Sequence, residues 1–190
     1  MKTPQRYTVP FRRKRQGLTN YRKRRLMLLS RLPRLVIRKS LAHIWLQVVT
    51  YHENGDSIVA SSHSKELKTM GWPFKANNLP ASYLVGMLLA KHCQKKNVKT
   101  LVLDLGLQSS VGGSRLFAAL KGVIDGGVHV SCSPEVLPSQ ERILGKHIAE
   151  YVKNVPSKSL QFNSYRKSGA PIATIGAVFE QMKSKITSHH

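Results

Sequence analysis

The chain has 190 residues, and its 31 Lys and Arg against 9 Asp and Glu give a formal charge of +22, which selects polyanionic partners: nucleic acid or an anionic membrane surface. At 41% hydrophobic residues it has enough apolar material for one packed domain with extensions, which excludes wholesale disorder. Its longest apolar run in a predicted helix, Leu84 to Ala90, falls far short of the ~20 residues a bilayer span needs, and two cysteines, Cys93 and Cys132, make neither a disulfide framework nor a four-ligand zinc site, so a reducing compartment is expected.

Residues 1–39 hold four Lys, ten Arg and no acid, whereas the remaining 151 hold 17 bases and 9 acids. The expected architecture is therefore a basic arm on a mildly basic globule. Arginine dominates the arm, and its planar fork of donors suits phosphate while its face stacks on bases. The runs Phe11-Arg12-Arg13-Lys14-Arg15 and Tyr21-Arg22-Lys23-Arg24-Arg25 each set an aromatic beside the cations, a pattern suited to folded or single-stranded RNA. The same composition also fits an organellar transit peptide, a nuclear address at Arg22 to Arg25, or an amphipathic membrane-surface helix. No apolar stretch of signal-peptide length follows the charges, so a secretory signal is not expected.

Residues 1–17, with Pro4, Pro10 and Gly17 and no periodicity, are expected to be extended, with a reach of roughly 50 Å. A helix is expected from Thr19, as N-cap, to about Arg31. On a helical wheel Tyr21, Leu28, Leu29 and Leu32 share one side, while Lys23, Arg24 and Arg31 point away as the better phosphate contacts. Arg22 and Arg25 fall at the apolar margin and have to snorkel. Leu35 to Lys39 and His43 to Tyr51 alternate and are rich in Val and Ile, which predicts strands. Asn54-Gly55-Asp56 predicts a hairpin into a third strand over Ser57 to Ser62. One face of the second strand carries Ile44, Leu46 and Val48; the other carries His43, Trp45, Gln47, Val49 and Tyr51. Sheets in α/β domains are covered on both sides, so Trp45 is expected beneath a helix, the alternative being an RNA-stacking platform.

Asn78 opens a helix to about Lys96 that is apolar nearly all round and therefore central, with Gly86 allowing close packing. A short buried strand over Thr100 to Leu105, a Gly- and Ser-rich loop, a helix from Ser114 to about Ile124 and a strand over Val128 to Val130 follow. Ser139 to Val152 predicts a further helix, and Ile172 to Ile186 a late apolar helix docked on the rest. The order β-β-β-α-β-α-β-α predicts an α/β fold with an open mixed β-sheet. The expected divisions are a basic RNA-binding arm and helix over 1–31, a core over 32–155 and a C-terminal extension over 156–190.

Catalytic signals are sparse. Gly106 to Arg115 has the look of a phosphate cradle but lacks both the P-loop ending and the dinucleotide fingerprint. What remains is a helix start with Ser114 as cap and Arg115 in the first turn, suited to a backbone phosphate, or simply a flexible loop. Asp104 ends a buried strand, where a nuclease would need several converging carboxylates; a lone Asp there is expected to cap the following turn. No metal-ligand pairing of His or Cys and no Ser–His–Asp order stands out. A structure-selective nucleic-acid-processing enzyme is the alternative reading.

Several segments together resemble the archaeal-type ribosomal protein L-eighteen family over about residues 7–148. They are Thr19-Asn-Tyr-Arg-Lys-Arg24, Pro33-Arg-Leu-Val-Ile-Arg-Lys-Ser40, His43-Ile44 with Gln47-Val48, and His63-Ser-Lys-Glu-Leu67. They continue through Gly71-Trp72, Asn77-Asn78 before Pro80-Ala81, Val102-Leu-Asp-Leu-Gly106 and Gly113-Ser-Arg-Leu-Phe-Ala-Ala-Leu-Lys-Gly122. Leu137-Pro138, Glu141-Arg142, Gly145 and His147-Ile148 complete the set. The resemblance implies a three-layer α/β/α core and a non-enzymatic protein of the large ribosomal subunit, in the cytoplasm. It implies a basic arm laid along 5S rRNA, which the chain joins to large-subunit (23S-type) rRNA in the central protuberance. Neighbouring ribosomal proteins are expected as partners; a homo-oligomer, a membrane, a metal and a cofactor are not. The expected RNA contacts are Arg12, Arg13, Lys14, Arg15, Tyr21, Arg22, Lys23, Arg24, Arg31, Arg34, Arg38 and Lys39, then Arg115 and Lys121. Arg34 and Arg38 share a strand face and are expected to act together.

Overall fold

The Asn54-Gly55-Asp56 turn folds β2 (Ile44–Thr50) back on β3 (Ser57–His63), and β1 (Arg34–Lys39) pairs antiparallel with the other edge of β2. A computed structural model, describing residues 8–155, 161–162, 165 and 172–188, places these three strands in one five-stranded sheet. β4 (Thr100–Asp104) adds parallel to β1, and β5 (His129–Val130) adds parallel to β4. The order β3-β2-β1-β4-β5 is the open mixed sheet that hairpin strands followed by βα units predict.

Alternation along the strands sorts the sheet into two unlike faces. Leu35, Ile37, Ile44, Leu46, Val48, Ala60 and Leu101 are buried on one of them, beneath α4 (Leu79–Lys95) and α5 (Arg115–Asp125). α4 starts where Asn78 Oδ1 accepts from the Ala81 N–H at 2.9 Å. Its near-continuous apolar surface has a tertiary reason: it touches the sheet on one side, α5 along its flank, and α8 (Ile175–Ser188) on its outer side. Gly86 and Gly122 set the α4–α5 distance reciprocally. A Cβ on Gly86 would overlap the Ala119 carbonyl oxygen, and one on Gly122 would overlap the Tyr83 carbonyl oxygen.

The late helix is docked as its pattern predicts. Ile175, Phe179, Met182 and Ile186 are buried, the Phe179 ring lies 5.6 Å from that of Tyr83, and Lys91 Nζ donates to the Thr187 carbonyl at 3.1 Å. At roughly 1.5–3 kcal/mol for each large apolar side chain buried, these four residues make 172–188 part of the core rather than an appendage. The layers on this side therefore run sheet, then α4 with α5, then α8 with α7 (Lys146–Asn154). Over the other face stand α1 (Arg12–Arg15) and α2 (Tyr21–Leu29), separated from the strands by a groove of about 910 Å³. Helices thus stand over both faces of the sheet, two helical layers deep on the core side and only a partial roof on the other.

Local expectations are corrected at four places. The first helix begins after Asn20, whose Oδ1 accepts from the Lys23 N–H at 3.1 Å, because Thr19 Oγ1 is taken by Arg13 Nε at 2.8 Å. It ends at Leu29, with Arg31 in the left-handed region at φ 55°. Within the stretch expected to be extended, residues 12–15 form the turn α1, closed by Gly17 at φ 65°, while residues 1–7 lie outside those described. The helix expected over Ser139 to Val152 is broken into α6 (Gln140–Ile143) and α7 by Gly145, at φ 79° with Pro80 and Ile175 against it.

Because helix backbones leave no room at the α4–α5 crossing, Gly122→Ala is expected to destabilise the protein by roughly 1–3 kcal/mol. Urea denaturation followed by far-UV circular dichroism measures it, and an unchanged midpoint would show that the crossing relaxes freely.

Candidate nucleic-acid interface

The open sheet face is built from Arg34, Val36 and Arg38 on β1, Trp45, Gln47 and Val49 on β2, Ile58, Ser61 and His63 on β3, and Val102 and Asp104 on β4. Its polar residues organise around two carboxylates. Arg34 is only 4% exposed, and its two Nη atoms donate to Asp104 Oδ2 at 2.8 Å and to Asp56 Oδ2 at 2.6 Å. Asp56 accepts in addition two hydrogen bonds from Arg24 of α2, at 2.8 and 2.9 Å. Asp104 Oδ1 accepts from the Gly106 N–H at 2.9 Å, capping the turn as expected of a lone Asp at a strand end. Arg24, Asp56, Arg34 and Asp104 thus form a continuous ladder from the arm helix, through the hairpin, across the sheet.

The electrostatics follow the contacts. Hydrogen bonding from Arg24, reinforced by the charge of Arg34, holds the Asp56 carboxyl below the usual carboxylate range, and the same bonds raise the Arg24 guanidinium. His63 is pushed below the ordinary histidine value chiefly by burial, with His43 and Lys65 adding to the effect.

The sequence-predicted contacts fall into two groups. Arg12, Lys14 and Arg15 of α1, Arg22 and Lys23 of α2, and Arg31 and Lys39 are exposed. Arg13 is exposed too, although its Nε holds Thr19. Tyr21 is half-buried and lies 5.0 Å from Phe11, so this pair fastens α1 to α2. Arg38 is half-exposed at the rim of the groove, anchored through Nη1 to the carbonyls of Ile37 and Asp104 at 2.9 and 3.0 Å.

The other group is committed inside the protein. Arg34 is buried, with both Nη groups held by carboxylates and its Nε making no hydrogen bond among the described residues, whereas Arg38 reaches the surface. Arg24 points to Asp56 rather than away from the protein, which corrects the helical-wheel reading at that residue alone, since Lys23 and Arg31 are exposed as expected and Arg22 and Arg25 are exposed too. Arg115 donates to the Asn77 carbonyl at 2.7 Å and Lys121 to the Pro138 carbonyl at 3.3 Å, which ties α5 to neighbouring loops. Ser114 occupies the N-cap position of α5, and its buried hydroxyl makes neither a capping nor any other hydrogen bond among the described residues.

Two groups escaped the sequence reading. Asp56 was legible only as a turn residue, with nothing local to mark it as the arm's anchor. Gln108 fastens the loop after β4 to β1, donating to the Ile37 carbonyl at 2.7 Å and accepting from the Lys39 N–H at 3.2 Å. Trp45, expected beneath a helix, is 45% exposed, because no helix packs directly over its part of the sheet among the described residues. Among those residues no cluster of three His, Cys, Asp or Glu is placed to hold a metal, and no helix is long and apolar enough to cross a membrane.

An acid-free cationic arm clamped over an open mixed sheet defines a polyanion-binding α/β protein of the ribonucleoprotein kind. Residues 5–100 match the family of ribosomal large subunit proteins 60S L5 and 50S L18. Over 186 residues, 96% of this chain and 95% of the relative, the sequence is 43% identical to large ribosomal subunit protein uL18 of Korarchaeum cryptofilum (strain OPF8). The chain belongs to this family of large-subunit ribosomal proteins, and is a structural, non-enzymatic constituent with ribosomal RNA and ribosomal proteins as its partners.

The ladder makes two predictions. Removing Asp104 leaves the Arg34 guanidinium buried without the more deeply buried of its two counter-charges, so Asp104→Ala is expected to cost about 3–5 kcal/mol in urea denaturation; a loss below about 1 kcal/mol would show that Arg34 rehydrates. Because the Asp56 pKa is lowered on folding, its contribution to docking α2 is full above the ordinary carboxylate range near pH 4 and is lost as pH falls through the lowered value. In NMR spectra the α2 resonances are expected to shift on acidification toward the positions they already hold at neutral pH in Asp56→Asn. Coincident neutral-pH spectra of the two proteins would refute the anchor.

Proposed function

We propose that this chain binds 5S rRNA and anchors it to the 23S-type rRNA of the large subunit, in the central protuberance, among neighbouring ribosomal proteins and as a single copy. The observation that carries this reading is where the charge remains after folding. Arg24 and Arg34 consume Asp56 and Asp104, the two carboxylates of the open face, so the cations of α1 and the outer side of α2 have no acid within reach among the described residues. Such an unneutralised set is attracted to phosphate and gains affinity by releasing condensed counterions. The sheet, holding the arm through Asp56, fixes the direction in which those cations point, and phosphate contacts positioned in this way set orientation on the RNA. Double-stranded RNA hides its base edges in a deep major groove, so selectivity for one RNA rests on backbone trajectory and unpaired nucleotides.

The contacts this reading retains are Arg12, Arg13, Lys14, Arg15, Arg22, Lys23, Arg31, Arg38 and Lys39, with Arg24 and Arg34 as the residues that position them. The nucleic-acid-processing alternative has no support, since the Asp104 carboxylate is committed to Arg34 and to the Gly106 amide.

Replacing Arg12, Lys14 and Arg15 together by alanine is expected to flatten the plot of log affinity for 5S rRNA against log salt by about 2–3. The same plot for Lys95→Ala with Lys96→Ala, exposed on the far end of α4, is expected to stay parallel to wild type. Equal losses in both, or wild-type affinity for 5S rRNA no greater than for a tRNA at moderate salt, would refute the assignment.

A further inference from the structure

One row of the open face carries chemistry that phosphate neutralisation leaves unused. Arg38, Trp45 and His63 stand side by side across β1, β2 and β3. β2 is flanked on both sides, yet Trp45 is 45% exposed, an indole half bare in the interior of a sheet. Its surroundings are rigid rather than loose. The His63 ring meets Trp45 edge-on with centroids 6.1 Å apart, and the His43 ring lies 5.0 Å from that of His63. His63 is held by the capping box of α3 (Ser64–Thr69): its Nδ1 accepts from the Lys65 N–H at 3.0 Å, and its own N–H donates to Glu66 Oε1 at 2.6 Å. His43 Nδ1 lies 2.9 Å from Ser64 Oγ.

The cationic groove begins beside this row. Arg38 of the same row, and Gln47 two residues along β2, line it from the sheet, while Arg13, Tyr21 and Lys23 line it from the arm. Its two carboxylates, Asp56 and Asp104, are shared among Arg24, Arg34 and Arg38, and Arg13 and Lys23 add to these, so positive charge is in surplus. A fixed aromatic face next to an unneutralised cationic channel is complementary to an unpaired nucleotide, which alone presents a free base face together with a phosphate. A paired base has both faces covered by its neighbours.

We infer that an unpaired nucleotide of the bound RNA docks on the open sheet face, its base stacked on Trp45 and its phosphate directed into the groove beneath the arm. This rests on the RNA-binding reading above but names a site outside the arm, with base stacking in place of phosphate neutralisation.

The protein supplies its own reporter. Its one other tryptophan, Trp72, is 3% exposed, so contact quenching of intrinsic fluorescence reports Trp45. The full chain is titrated with a single-stranded oligoadenylate of about eight nucleotides and with an abasic oligomer of the same length. Quenching by the first and not by the second is expected. Trp45→Ala is expected to weaken binding of oligoadenylate and of 5S rRNA about ten-fold with the salt slope unchanged, since one stacked base and no phosphate contact is lost. Trp45→Phe is expected to recover most of that loss. Equal quenching by the abasic oligomer overturns the inference. So does unchanged RNA affinity in Trp45→Ala, including the case where Trp45 becomes shielded only on adding ribosomal proteins. A wild-type chain that failed to prefer 5S rRNA over tRNA, yet was quenched by oligoadenylate, would instead refute the proposed RNA target and leave the stacking site standing.

Discussion

The arm of this protein is held by one carboxylate. Asp56, at the end of a hairpin turn, receives two hydrogen bonds from Arg24 and one from Arg34, and Arg34 passes the connection on to Asp104. Everything cationic on α1 and α2 takes its direction from that clamp, because the two helices otherwise stand away from the sheet across a groove. The inner end of the ladder is the stiff one. A buried guanidinium with a carboxylate on each side has no low-energy alternative position, since rupture would leave a desolvated charge. The outer end is partly exposed and correspondingly weaker, which lets the arm be oriented without being welded to the sheet.

That arrangement divides a large excess of positive charge between two tasks. A few arginines spend their charge inside the protein, where acids are placed to receive them. The cations of α1 and of the outer side of α2 have no acid partner among the described residues, and their mutual repulsion opposes folding but favours any polyanion that separates them. A chain with so few acids has little other means of making a basic segment fold, and it uses two of its nine acids for that purpose on a single sheet face.

The apolar half of the molecule is arranged to leave that face free. α4 is covered by the sheet, by α5 and by α8, so the hydrophobic core grows outward on one side only. The C-terminal helix packs on α4, so the far face, roofed only in part by α1 and α2, can carry Trp45, Gln47 and Arg38, a surface usable for recognition rather than for packing.

The strands, the hairpin, the central helix with its Asn78 cap, the docked final helix and the mixed sheet were all legible in the order of residues, because each depends on periodicity or on a cap a few positions away. The composition of residues 1–39 likewise identified a polyanion-binding arm, since net charge is additive and needs no geometry. Four things were not legible: that Arg34 is buried, that Arg24 turns inward, that Arg115 and Lys121 hold loops, and that Trp45 is left open. Arg34 and Asp104 are seventy positions apart and Arg24 and Asp56 thirty-two, so no local pattern records which cation meets which carboxylate. Burial of a strand face depends on which helices reach it, and here a helix at the far end of the chain packed on α4 instead. Pairing and coverage are properties of contacts between remote segments, and only the folded molecule brings those segments together.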